Sequence, residues 1–160
     1  MNLNFFNLDP KIQRNVIPLR DLIYDYDNAI KLGDIITTSK GYDFVMLGHN
    51  IWKDITSGIT WYDVEPKTYT FDKAVKTFGD RLPTKEEFTI AESHGFREIL
   101  PNMKNNWFWS SSVHPNSTDY AYGFHGYSGN GYYDVRDLSD SVRCIERGNV
   151  LGKTRAVSVL

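Results

Sequence analysis

The sequence predicts a single α+β domain in which helices come first and a run of short antiparallel strands follows. Helical patterns occupy residues 70–95, whereas the stretch after Pro101 alternates with the period of a strand. This segregation of helices and strands is typical of α+β folds and not of a doubly wound parallel sheet. A length of 160 residues is close to the usual size of one domain and allows an independent core.

The opening third of the chain is predicted to hold a helix and a hairpin. Gly33 stands where the helix should stop, and strands 34–38 and 42–48 are separated by a short turn containing Gly41. Residues 49–69 show no regular period and are predicted to be irregular. The helix is predicted from apolar residues at helical spacing, which are Leu19, Leu22, Ile23, Tyr26 and Ile30.

The next helix is predicted to begin after Thr70, which can cap it, and to end at Gly79. Its expected buried stripe consists of Phe71, Ala74, Val75 and Phe78.

A further helix has a stronger start signal, because Thr84 and Glu87 form a capping box. The Thr84 hydroxyl can accept from the Glu87 amide while the Glu87 carboxylate accepts from the Thr84 amide. Gly95 is expected to close this helix, and its inward residues are predicted to be Phe88, Ile90 and Ala91.

The second half is predicted to form short strands, at 107–112, 119–124, 132–135 and 141–145. Trp107 and Trp109 share a face of their strand, and that face is either core or ligand contact. In the strand 119–124 the aromatic side chains share a face that is predicted to be core. The tail, residues 148–160, is apolar enough to dock as a strand on this chain or on a second copy, which would give a homo-oligomer.

Composition and charge exclude several classes of function. A net charge of -2 with no basic stripe argues against nucleic-acid binding. Apolar runs are too short to insert into a membrane. The first ten residues lack the pattern of a secretory signal. The protein is therefore expected to start in the cytoplasm, and to stay there or to leave as a component of a virion or another larger assembly.

Catalytic and metal-binding motifs are missing from the sequence. Cys144 is the one cysteine, which excludes an intrachain disulfide and a multi-cysteine metal site. The four histidines have no metal-ligand spacing and are expected to lie on the surface. The acidic stretch 134–140 offers oxygen ligands of the kind that bind calcium, and the alternative is a solvated acidic turn. No cofactor is predicted.

The stretch 114–137 has the composition of a binding surface, since Tyr is interspersed with Gly, Ser and Asn. Tyr provides a large contact area at small entropic cost, while Ser, Gly and Asn provide adaptable hydrogen bonds. The alternative is a hairpin whose aromatic residues pack on the sheet. The residues predicted to contact a ligand are His114, Asn116, His125, Tyr127, Asn130, Tyr132 and Tyr133.

Three motifs in order resemble the Lcl C-terminal domain family, which is distantly similar to the formylglycine-generating enzymes. They are Arg-Leu-Pro-Thr-Lys-Glu-Glu at 81–87, Trp-Phe-Trp-Ser-Ser-Ser at 107–112 and Val-Arg-Cys-Ile at 142–145. The resemblance implies a C-type lectin-like fold with two helices, a small twisted antiparallel sheet and long loops. It covers roughly residues 56–147, within a domain predicted at 49–160, and residues 1–48 would be a helix and hairpin extension packed on it.

The resemblance also implies roles for particular residues. Arg81 is expected to clamp backbone carbonyls or a carboxylate, and Arg143 of the closing strand is expected to be structural. The diversified ligand-binding segment of Lcl-like proteins corresponds to the stretch 114–137. Formylglycine-generating enzymes hold copper with a cysteine pair, and Cys144 alone cannot form that site.

The sequence is therefore expected to encode a non-catalytic binding module, of the adhesin or receptor-binding type, for a glycan or a protein. One alternative is a cytoplasmic protein, of phage or bacterial origin, that binds and inhibits a host protein. Another is an enzyme of a type that its motifs do not reveal.

Overall fold

The computed structural model describes residues 16–18 and 31–148. The predicted helix on residues 19–30 and the predicted strand in the tail beyond residue 148 lie outside this range. Within it the fold is mixed α+β, with two α-helices and two predominantly antiparallel sheets. Neither helix of the described part has the length and apolar character needed to cross a membrane.

The strands of the described part form a larger and a smaller sheet. The larger sheet has the order β1-β2-β3-β4-β5-β9, and only its β1–β2 pair is parallel. The smaller sheet has the order β6-β7-β8 and is antiparallel throughout. The strands are β1 (Val16–Pro18), β2 (Ile35–Thr37), β3 (Asp43–Gly48), β4 (Ile51–Asp54), β5 (Ile59–Val64), β6 (Trp107–Val113), β7 (Tyr120–His125), β8 (Gly131–Val135) and β9 (Arg143–Arg147).

The hairpin predicted before residue 48 is confirmed, since β2 pairs antiparallel with β3. The prediction of irregular structure at 49–69 is wrong, because β4 and β5 lie there. Trp52 and Trp61 face each other across this pair, and both are fully buried. These strands have four and six residues, so each shows too few alternations to be told from a loop.

Helix α1 spans Phe71–Phe78, and the prediction of its extent is confirmed. Thr70 occupies the N-cap position, but its side chain makes no capping hydrogen bond. The predicted stripe is too wide, because Val75 is exposed while Phe71 and Ala74 are buried. This helix has only eight residues, and it buries fewer side chains than the predicted stripe contains.

Helix α2 spans Lys85–Ser93 and has the predicted capping box. The Glu87 amide donates to Thr84 Oγ1 at 3.1 Å, and the Thr84 amide donates to Glu87 Oε1 at 2.8 Å. Phe88 is buried as predicted, but Ile90 is exposed because two residues along a helix turn a side chain to the far side.

The two helices cover opposite faces of the smaller sheet. Phe108 and Trp109 are neighbours in β6 and therefore point to opposite faces. Phe108 belongs to the core cluster that contains Phe88 of α2, and Trp109 belongs to the cluster that contains Phe71 of α1. Phe124 of β7 stacks on Phe88 with 4.8 Å between ring centroids. Both faces of β6 and β7 are consequently buried where the helices lie.

The predicted carbonyl clamp is made by Arg143 and not by Arg81. Arg81 is exposed, and its guanidinium lies 5.6 Å from the centre of the Tyr62 ring. Arg143 is fully buried, and it donates to the carbonyl oxygens of Tyr62 and Pro101 at 2.6 Å each. This residue thus ties β9 and β5 to the loop that precedes β6.

His94 is buried, so the expectation of a surface histidine is wrong for this residue. Its Nδ1 lies 2.6 Å from Asp54 Oδ2, and the Tyr42 ring stacks on it with 3.8 Å between centroids. His94 directly follows α2, whereas Asp54 ends β4. The pair joins the larger sheet to the end of α2, and it holds the helix that supports the smaller sheet.

Candidate binding surface

The seven residues predicted to contact a ligand do not form one surface. Tyr132 and Tyr133 are neighbours in β8, so their side chains project from opposite faces of the smaller sheet. Tyr132 shares a face with Trp107 and His125, whereas Tyr133 contacts His114 on the other face. The predicted set therefore separates into two groups.

The first group forms an aromatic platform made of Trp107, His125, Tyr127 and Tyr132. The ring of Trp107 stacks on His125 with 4.0 Å between centroids and meets Tyr132 edge-on at 4.7 Å. Tyr127 lies 6.2 Å from His125. Trp107 is 47% exposed and Tyr127 is 69% exposed, so both rings present their surfaces to solvent. Of the tryptophan pair, Trp109 is therefore core, whereas Trp107 lies at the surface.

Tyr132 is held in the platform by a glycine below it and a carboxyl group beside it. A Cβ added at Gly123 would come within 2.4 Å of the Tyr132 ring, so the absence of a side chain there lets the ring lie on the strand. The Tyr132 hydroxyl donates to Asp140 Oδ2 at 2.8 Å. Burial foremost, and then the Asp140 charge, raise the pKa of Tyr132 far above its usual value, so the hydroxyl keeps its proton.

Replacing Gly123 by alanine is expected to displace Tyr132 and to lower the free energy of unfolding by about 1–3 kcal/mol, the usual cost of overpacking. The near-ultraviolet circular dichroism band should also change, because Tyr132 would leave Trp107. Chemical unfolding of Gly123→Ala, Tyr132→Ala and the double variant measures the effect. The double variant should lose less than the sum of the single losses, and strict additivity would contradict the contact.

Asp140 is a buried carboxyl with an unusual titration. Burial raises its pKa to about 7, and the neighbouring Asp134 acts in the same direction, while the hydrogen bond from Tyr132 opposes both. Because the folded protein holds this proton over a pH range in which the unfolded chain releases it, folding is favoured at the acidic end. The stabilising contribution of the protonated group is present below the usual carboxyl pKa of about 4 and is lost as pH rises to 7.

Replacing Asp140 by asparagine is expected to remove this pH dependence. Urea unfolding at pH 4.5 and 7.5 should show that the wild type loses more stability on going to the higher pH than Asp140→Asn does. The two proteins must be compared because Glu87 changes the stability with pH in the opposite direction. Hydrogen bonds from Arg147 and Thr84 outweigh the effect of burial and lower the pKa of Glu87. Equal slopes for the two proteins would refute the assignment.

The turn that displays Tyr127 is anchored from below by an arginine. Arg97 Nη1 donates to the Tyr127 carbonyl at 2.8 Å, and Arg97 is itself held by two hydrogen bonds of 2.6 Å to Glu92. Gly126 packs so close to the Met103 carbonyl that a Cβ would come within 1.9 Å of its oxygen. The backbone of this turn is therefore fixed, although the Tyr127 side chain points to solvent.

Polar groups at the edge of the platform are available for hydrogen bonding. Ser128 Oγ lies 2.9 Å from His125 Nδ1, which orients that ring. Asn130 is exposed in the same turn, and its backbone carbonyl accepts from the His125 amide at 2.8 Å. The platform thus combines aromatic faces with amide and hydroxyl groups.

The second group lies on the other face of the sheet and contains His114, Tyr133 and the neighbouring loop. The His114 and Tyr133 rings are 4.4 Å apart, and Lys85 Nζ lies 5.8 Å from the centre of the Tyr133 ring. His114 Nδ1 accepts from the backbone amide of Asn116 at 3.0 Å, in an exposed loop. Tyr122 is largely buried beneath this group, and Tyr120, predicted as core with it, is 40% exposed.

Metal-ligating side chains do not cluster in the described part of the chain. No group of three or more His, Cys, Asp or Glu side chains in this part gathers in a way that could hold a metal ion. Cys144 is fully buried in β9, and burial raises the pKa of its thiol to about 11.

Trp107 and Arg97 are the contributors to this surface that the sequence did not assign to it. For the face that Trp107 shares with Trp109, the sequence left core packing and ligand contact open, and Trp107 was not among the residues predicted to contact a ligand. Arg97 had no sequence signal, since it acts on a turn 30 residues away. The chain matches no protein-family model and no curated protein.

Proposed function

We propose that this protein is a non-catalytic binding module that recognises a glycan or protein ligand through the aromatic platform. The observation that carries the proposal is the exposure of Trp107 and Tyr127 on a supported backbone. A large apolar ring at the surface has no role in the core, and clustered exposed rings are a usual feature of interaction sites.

Preorganisation supports this proposal. Trp107 is stacked on His125 and is in contact with Tyr132, so little side-chain freedom remains to be lost on binding. The Tyr127 turn is held by Arg97 through its main chain. Binding would therefore place a ligand on a Trp107 ring and a Tyr127 main chain that are already held in position.

The chemistry of the platform suits ligands that present both C–H surfaces and hydroxyl or amide groups. The faces of sugar rings carry C–H groups that stack on aromatic rings, and sugar hydroxyls bond to side chains such as Asn130 and Ser128. A protein epitope offers the same combination through aliphatic side chains and main-chain groups. The platform bears no cationic cluster, so neither ligand needs to be strongly acidic.

A C-type lectin-like fold related to the Lcl C-terminal domain family remains our proposal for the domain at 49–160. Its support is the order of the elements: two helices are followed by the strand with the Trp-Phe-Trp-Ser-Ser-Ser sequence and then by the closing strand with Arg143. His125, Tyr127 and Tyr132 of the platform lie in the stretch 114–137, which corresponds to the ligand-binding segment of that family, whereas Trp107 precedes it. The strands before and after residue 48 belong to one sheet, which links the N-terminal hairpin to this domain.

A ligand survey tests the proposed function. The purified protein would be applied to a glycan array and, in parallel, used to capture proteins and intact bacterial surfaces. Any ligand found is then measured against Tyr127→Ala, with Tyr120→Ala as the matched control because Tyr120 is exposed outside the platform. The proposal expects weaker binding for the first variant only. Absence of any ligand, or equal binding by both variants, would count against it.

A further inference from the structure

Strand β8 leaves one side of its backbone unpaired within the described part of the chain. It is the last strand of the order β6-β7-β8, and it pairs only with β7. Its residues 131, 133 and 135 are exposed. An open edge of this kind is a template for pairing with another strand, and natural edges are usually protected by a charge, a proline or a bulge. The β7–β8 ladder has no bulge.

The hydrogen-bonding ladder shows which backbone groups point outward. The His125 amide donates to the Asn130 carbonyl and the Arg136 amide donates to the Asp119 carbonyl. Since paired residues alternate along an antiparallel ladder, residues 132 and 134 bond to β7 and residues 131, 133 and 135 direct their N–H and C=O groups to the open side.

The backbone groups of Val135 are not free to pair at this open edge, because both make local hydrogen bonds. Its amide donates to Asp134 Oδ1 at 2.9 Å, and its carbonyl accepts from the Leu138 amide at 3.0 Å. The outward groups that remain are the N–H and C=O of Gly131 and Tyr133. Gly131 and Tyr133 are two positions apart, which is the spacing between successive hydrogen-bonded pairs of an antiparallel ladder.

We propose that β8 is a self-association edge, on which a second copy of this chain pairs antiparallel with Gly131 opposite Tyr133. In this register each Gly131 exchanges both of its bonds with Tyr133 of the second copy, so the four free groups of each chain are all satisfied. A two-fold axis perpendicular to the sheet relates the copies, as in an isologous dimer. The two small sheets become one continuous sheet.

The side chains agree with this register. Tyr132 faces its own counterpart, and Asn130 faces Asp134 of the second copy, which pairs an amide with a carboxylate and keeps like charges apart. Gly131 cannot carry a side chain, because a Cβ would come within 1.8 Å of the Tyr122 hydroxyl. The Tyr122 hydroxyl occupies that space, so Tyr133 of the second copy would lie beside Tyr122. Since the axis is perpendicular to the sheet, both aromatic platforms lie on the same side.

Proline substitution distinguishes self-association through β8 from self-association through another surface. Tyr133→Pro removes an outward N–H and leaves the bonds to β7 intact, and Val135→Pro is the control because its N–H takes no part in the proposed pairing. Sedimentation equilibrium at protein concentrations up to about 1 mM should detect a dimer for the wild type and Val135→Pro, and a monomer for Tyr133→Pro. A wild-type monomer over the whole range would overturn the proposal.

Cysteine cross-linking tests the register even if a proline variant does not fold. Asn130→Cys/Asp134→Cys should give a disulfide-linked dimer on mild oxidation, because these positions face each other across the interface, whereas either single variant should not. Within one chain the two positions are about 13 Å apart along a strand, which is too far for a bond. Two results would refute β8 as the self-association edge. One is a dimer that persists in Tyr133→Pro while the double cysteine variant forms no cross-link. The other is a dimer that is lost when residues 149–160 are deleted but is retained in Tyr133→Pro.

Discussion

Replacing Arg143 by methionine is expected to lower the free energy of unfolding by about 2–6 kcal/mol, because two carbonyl oxygens lose a charged donor and each loss costs about 1–3 kcal/mol. Methionine fills similar space but donates no hydrogen bond. The carbonyls of Tyr62 and Pro101 would then lose the donor that lies 2.6 Å away from each of them. The remaining carboxyl of Asp63, 3.8 Å from the guanidinium, would lose its nearby positive charge.

Urea unfolding monitored by tryptophan fluorescence measures this loss. Arg136→Met is the matched control, because Arg136 pairs with Asp72, whose side chain is 74% exposed. Exposed pairs contribute only about 0–1 kcal/mol, so this variant should unfold close to the wild type. If both variants lost the same stability, burial of Arg143 would not be the reason for its effect.

Replacing Trp107 by alanine is expected to weaken ligand binding by at least about 30-fold, which corresponds to ~2 kcal/mol, while leaving the fold intact. Tryptophan is a frequent anchor in interfaces, and this ring is at the centre of the platform between His125 and Tyr132. Because 47% of its surface is exposed, its removal leaves no enclosed cavity. The ligand identified in the survey is titrated by calorimetry.

Two comparisons make the Trp107 prediction specific. Leu138→Ala removes another exposed apolar side chain, 53% exposed and outside the platform, and should bind like the wild type. Trp107→Phe keeps an aromatic face and should recover part of the affinity. Unchanged affinity in Trp107→Ala, with native circular dichroism, would remove the platform from the binding site.

Local elements of the fold were predictable because their signals act over a few residues. The capping box of Thr84 and Glu87 needs only a spacing of three, and its two hydrogen bonds are present. The hairpin of β2 and β3 was likewise indicated by two β-branched or apolar runs around a glycine turn. Strands β4 and β5 escaped prediction because they are short, and their tryptophans are buried by distant parts of the chain.

The candidate site was predicted by residue type but not by grouping. A sequence of alternating tyrosines around residue 130 indicated a binding surface, and His125, Tyr127 and Tyr132 do lie together. His114 and Tyr133 lie on the opposite face of the sheet because adjacent residues of a strand point in opposite directions. Trp107 also lies in the platform, and its exposure was not evident from its place beside Trp109 in the same strand.

The sequence by itself determined the α+β class, the extents of both helices and the tyrosine-rich character of residues 114–137. Only the tertiary structure decided which of two equivalent tryptophans is exposed, that Arg143 and not Arg81 reaches the carbonyls, and that His94 is paired with Asp54 in the interior. The reason is that capping, turns and periodicity depend on residues close together in the chain. Burial and charge pairing join residues 40 or more positions apart, and a single sequence carries no record of those distances.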